Sequence, residues 1–170
     1  MTQSKDSYFY KELQEKLLAC GIILVGLPAL KNASLNGATR RFKNGSILLL
    51  LTDRNKRSDI FWFSLFHELG HIIHGDFHSD IEDKEAYRAK EDKADIFAQN
   101  LLIPVDSYRE FVEKGDFSKH AIETFAQEIK IHASIVLGRL QKEKLVDYHK
   151  YSELKINYNM MIKQATKVEE

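Results

Sequence analysis

Apolar residues recur along this chain with two periods, and the switch between them divides it into a front third of mixed elements and a helical remainder. Between Tyr8 and Cys20 they stand at Leu13, Leu17 and Leu18, near helical spacing, and Gly21 follows as a C-cap. A first helix is expected there. The run Ile22-Ile23-Leu24-Val25 is mostly β-branched and stops at Gly26 and Pro28, which reads as a strand. Ala38 to Phe42 reads as a second strand, and Ser46 to Leu51 as a third, apolar enough to be buried on both faces. Asn44-Gly45 between the last two predicts a two-residue hairpin, because both residue types tolerate positive φ.

After the polar stretch Thr52 to Ser58, Asp59 is the expected N-cap of a helix that carries Ile60-Phe61-Trp62-Phe63-Ser64-Leu65-Phe66 and continues to Gly75. A polar loop, Asp76 to Asp83, leads into a long helical pattern that Pro104 ends. From Val105 onward the pattern is helical in short pieces, split near Gly115 and near Ile131 to Ala133. These elements predict an α+β domain over residues 1–150, helical from about 105, followed by a C-terminal helix or frayed tail over 151–170. About three strands would form a small mixed sheet.

A length of 170 residues suits one domain with its own core. Lysine plus arginine balance aspartate plus glutamate at 25 each, so no broad basic field exists to hold a nucleic-acid backbone or an anionic membrane. No apolar run approaches the ~18 residues needed to span a bilayer, and the first residues lack a secretory core. A cytoplasmic location is therefore expected. Cys20, the single cysteine, has no disulfide partner within the chain and is expected to be a small buried apolar residue.

The chemistry concentrates in His67-Glu68-Leu69-Gly70-His71. On a helix, residues four apart lie one above the other with Cβ atoms about 5–6 Å apart, so His67 and His71 can aim two imidazoles at one metal. Glu68, rotated ~100° from His67, reaches past that point toward a bound water and is placed to be the base. From Leu65 to Ile73 only Glu68 and the histidines are ionisable, as a dry helix requires. Burying all three without a partner would cost several kcal/mol.

A third ligand has to come from elsewhere. His74 is seven residues from His67, a rise of ~10 Å, too far for all three to share an ion. His78 falls one position too late for the metzincin pattern. In Lys90 to Pro104, Glu91 falls with Ala94, Ala98, Leu101 and Leu102 on one face, and small alanines let helices approach closely. Glu91 is the expected ligand, with Glu82, Glu85 and Asp92 as competitors. Asp95, one turn on, is the candidate to fix a ligand histidine from behind.

FWFSLFHELGHIIHG followed by EDKADIFAQNLLIP resembles the ImmA/IrrE family of metallopeptidases, in which HExxH pairs with ExxA(N/D)xFA and an L(L/M)P-like stop. GIILVGLP, LNGATRRF, SILLLL and IHASIVLGRLQ also look like parts of the domain found behind Xre-type helix-turn-helix regions, and the likeness runs from about Leu13 to Tyr148. The resemblance implies a zincin-like fold, metal on His67, His71 and Glu91, and catalysis by Glu68. It further implies cleavage or inactivation of a cytosolic protein, often a transcriptional repressor, and the domain also occurs in antitoxin-like regulators. The longer versions carry an N-terminal DNA-binding region that this sequence lacks.

Zinc is the expected ion, and manganese or another divalent metal suits the same donors. Ala38 to Phe42 is the candidate edge strand for an extended substrate. Tyr87, Tyr108 and His132 are candidate oxyanion donors. Two other readings compete. One is a non-catalytic regulatory or antitoxin-like module stabilised by metal. The other is a DNA-binding protein, because Ile122 to Ile129 followed by Ile131 to Val136 resembles a helix-turn-helix. Residues Ser118 to Lys150 hold six Lys or Arg against four Asp or Glu, a weak footprint for phosphate.

Overall fold

A computed structural model describes residues 2, 8–29, 31, 34–77, 83–158 and 160. Helix α1 (Tyr8–Ala19) buries Leu13 and Leu17 and ends at Gly21, whose φ of +78° carries the chain into strand β1 (Ile22–Leu27). Two expectations fail at this helix. Leu18 lies on its outer face, and Cys20 is exposed, because the helix stops at Ala19 and the turn after it runs along the surface.

Strands β2 (Gly37–Arg41) and β3 (Ile47–Thr52) complete a three-stranded mixed sheet in the order β1-β3-β2, with β1 parallel and β2 antiparallel to β3. Leu49 and Leu51 of β3 are fully buried, while Leu48 and Leu50 on the other face are only half-buried, so burial on both faces is not achieved. The hairpin loop is one residue longer than expected. Arg41 pairs with Ile47 and Phe42 bonds Ser46, leaving Lys43-Asn44-Gly45 as a three-residue loop in which Gly45 takes a φ of +87°. Among the described residues the outer edge of β2 has no strand beside it.

Helix α2 (Ser58–His74) starts earlier than the sequence suggests. Its N-cap is Arg57, not Asp59. Arg57 is held in extended backbone by a bridge to Asn157, and Asp59 instead grips the Arg57 guanidinium from the first turn, where a negative charge also suits the helix dipole. The far end closes on Gly75 in the left-handed conformation, with Gly75 N–H donating to the Ile72 carbonyl and Asp76 N–H to that of His71. That Schellman geometry secures the turn that carries His71.

Helix α3 (Lys84–Leu102) is capped by Asp83, which accepts from the backbone of Glu85 and Ala86. Ala94 and Ala98 are fully buried, and Leu102 nearly so, but Leu101 is exposed, so the inward face is narrower than expected. A Cβ on Gly70 of α2 would come within 3.1 Å of the Ala94 Cα, which shows how closely α2 and α3 pack.

Helices α4 (Val105–Lys114), α5 (Lys119–Glu128) and α6 (Ala133–Lys142) follow Pro104. Phe111 and Phe125 stack at 4.4 Å to join α4 and α5. Ser134, Ile135, Val136, Leu137, Leu140 and Gln141 of α6 are all buried, so the second helix of the suspected DNA-binding pair is a packing element of the core. The chain then returns to the start of α2. Leu154 is buried, Ser58 N–H donates to the Ile156 carbonyl, and Tyr158 N–H to that of Lys56. Of the C-terminal helix or frayed tail expected over 151–170, residues 159 and 161–170 lie outside the described residues. No described helix is long and apolar enough to cross a membrane.

Candidate metal centre

Helix α2 aims His67 and His71 at one point, and α3 brings Glu91 to it. His67 Nε2 and His71 Nε2 are 3.1 Å apart, and the two Glu91 oxygens lie 3.4 Å from the first and 3.2 Å from the second. One ligand atom from each residue falls within a set spanning no more than 4.8 Å. The His67 Nδ1 faces Asp95 Oδ1 at 2.8 Å. With that proton given to Asp95, Nε2 is the basic nitrogen and points at a second imidazole and a carboxylate. A proton or a cation has to sit among them, and two imidazoles with one carboxylate are the donor set of a catalytic zinc site. The residues fit a metal.

Residues 30–141 match the family described as Peptidase_M78, the IrrE N-terminal-like domain. This chain is a member of that family. No curated protein matches it. The Peptidase_M78 match includes all three converging residues together with Glu68 and Asp95, and it stops one residue short of Lys142. Membership makes the chain a metallopeptidase-family protein and implies a metal.

Glu68 occupies a site of its own within this Peptidase_M78 domain. Its side chain is almost fully buried, and it leans on Gly37 of β2, where a Cβ would come within 2.7 Å of the Glu68 Cγ. Burial raises its carboxyl to about 7, with a push from Glu91 and against the pull of His67 and Thr39. Burial draws the His67 imidazole down, but the Asp95 hydrogen bond and the surrounding carboxylates outweigh it and leave the pKa raised. Burial works against the Asp95 carboxylate too, yet its bonds to His67 and Lys142 hold it below the usual range.

The competing acids Glu85 and Asp92 are exposed on α3, and Glu82 and His78 lie outside the described residues. His74 packs its ring against Phe97 at 5.8 Å and is not in the ligand cluster. Of the suggested oxyanion donors, the Tyr108 hydroxyl donates a hydrogen bond to Glu143 Oε2 at 2.7 Å, and His132 caps α6 by accepting from Ser134 N–H. Both are engaged in the helical half. Tyr87 shares the ligand face of α3, one turn ahead of Glu91.

Three contributors escaped the sequence reading. Gly37 and Thr39 adjoin Glu68, and only the edge position of β2 hinted at them. Lys142 Nζ donates to Asp95 Oδ2 at 3.0 Å from a charged run that gave no signal.

Proposed function

We propose that this protein is a zinc-dependent endopeptidase of the cytoplasm that cuts one regulatory protein, a transcriptional repressor. The observation that carries this reading is the convergence of His67, His71 and Glu91 beside a buried acid, next to the open edge of a strand. Zinc held by His67, His71 and Glu91 would supply Lewis acidity for hydrolysis there. Manganese suits the same donors.

The protein's own groups do the rest. Asp95 fixes the His67 tautomer through the 2.8 Å contact, so that Nε2 faces inward. Glu68, buried beside the three converging residues, is placed to take a proton from water and to return it to the departing amine. A substrate strand laid along β2 gains main-chain hydrogen bonds, and the missing Cβ at Gly37 leaves Glu68 room against that strand.

The test is to incubate the zinc-loaded protein with a repressor encoded beside it, comparing wild type with Glu68→Gln at equal metal content. Defined fragments from wild type alone are expected. An intact repressor that is bound but never cut by the loaded wild type would replace this reading with the non-catalytic regulatory module.

A further inference from the structure

The geometry points to Lys142, on α6, as a positioning residue for the metal centre, an inference that rests on the metal-binding part of the reading above and not on proteolysis. Asp95 has two oxygens, and they face different ways. Oδ1 meets His67 Nδ1 at 2.8 Å, and Oδ2 accepts from Lys142 Nζ at 3.0 Å. A carboxylate held at both oxygens cannot swing about its last side-chain bond, so Lys142 sets the plane in which Asp95 meets the imidazole. The same ammonium lies 4.7 Å from the centre of the Phe63 ring, which in turn is 6.2 Å from the His67 ring. Lys142 thus touches two of the groups around His67, Asp95 and Phe63. It comes from the helical half of the chain, 47 positions beyond Asp95, and stands just past the family match over residues 30–141.

A bland role competes with this one. Lys142 is in the last turn of α6, where a cation suits the helix dipole, and its side chain is 56% exposed, so the ion pair could be worth little to stability. The two roles separate in zinc affinity, measured by competition with a chromophoric chelator on the full chain. Lys142→Met is expected to weaken zinc binding on the order of tenfold, the low end for an outer-shell partner, while the melting temperature of the metal-free protein barely moves. Lys142→Arg should restore most of the affinity. Asp95→Asn should weaken binding further, and adding Lys142→Met to it should cost much less than it does in wild type, because the Asp95 contact is the main route by which Lys142 acts.

Zinc affinity of Lys142→Met within about twofold of wild type, or full additivity in the double variant, would overturn the inference. Wild type that binds no zinc would instead sink the metal reading beneath it.

Discussion

Helix α2 carries two clusters of buried polar groups, about three turns apart, and only one of them looks like a site. At its start, Ser58 Oγ meets Ser134 Oγ at 3.0 Å, and Asp59 is gripped by the Arg57 guanidinium. Toward its end, Glu68 is just as buried but forms no ion pair among the described residues, and burial pushes its carboxyl up to about 7. Each acid leans on a glycine of another element, Asp59 on Gly138 and Glu68 on Gly37. Burial and close packing are common to both clusters. What differs is the source of positive charge: the Arg57 guanidinium supplies it directly to Asp59, whereas Glu68 has only the pull of His67 set against burial and the push of Glu91. A buried acid with its counter-charge built in is held ionised, and one left mainly to burial is held toward its protonated form.

Glu68→Gln should reduce repressor cleavage by roughly 10²–10⁴-fold with zinc content unchanged, read by fragment release and metal analysis. Next comes pH. Glu68 in the metal-free fold has a pKa raised from 4.5 to about 7, so its protonated form is the one the fold favours. The stability it contributes is present below pH 4.5 and is lost as pH rises through about 7, on the order of 3 kcal/mol, and the raised pKa of His67 acts in the same direction. Chemical denaturation of metal-free protein should show that decline, and Glu68→Gln should flatten it.

The structural cluster should answer differently. Asp59→Ala strands the Arg57 guanidinium and should cost about 1–3 kcal/mol of stability while leaving zinc affinity unchanged. The glycines form the last and smallest pair. A Cβ at Gly138 would stand 2.6 Å from Asp59 Oδ2, and one at Gly37 would stand 2.7 Å from Glu68 Cγ. Gly138→Ala is expected to lower the melting temperature, by about 1–3 kcal/mol of overpacking, with turnover retained. Gly37→Ala has to displace a side chain that can yield, so its main effect should be a lower kcat.

The pattern of residues was most informative where structure is set by near neighbours. His67, Glu68 and His71 were legible because helix geometry alone fixes their relation. Glu91 was legible because it keeps period with Ala94 and Ala98, which have to face inward for α2 and α3 to approach. What stayed hidden depends on distant partners. Arg57 caps α2 because Asn157 pairs with it, and no local rule prefers arginine there. Leu18 and Leu101 fit the apolar spacing yet face outward, since each helix packs on one side only. Cys20 is exposed because the turn that holds it runs along the surface. Gly37 lies one residue ahead of the strand expected from Ala38, and no local pattern ties it to Glu68.

All three converging ligand residues, and Asp95 behind them, belong to two helices that are consecutive in the chain and cross at Gly70 and Ala94. The metal centre is therefore carried by a single helical hairpin, a unit of short sequence separation that can close early during folding. The surroundings that tune Glu68 need β2 to pair with β3 and dock on α2, which are longer-range events. Along the folding path, the converging side chains can therefore come together before the surroundings of Glu68 are complete.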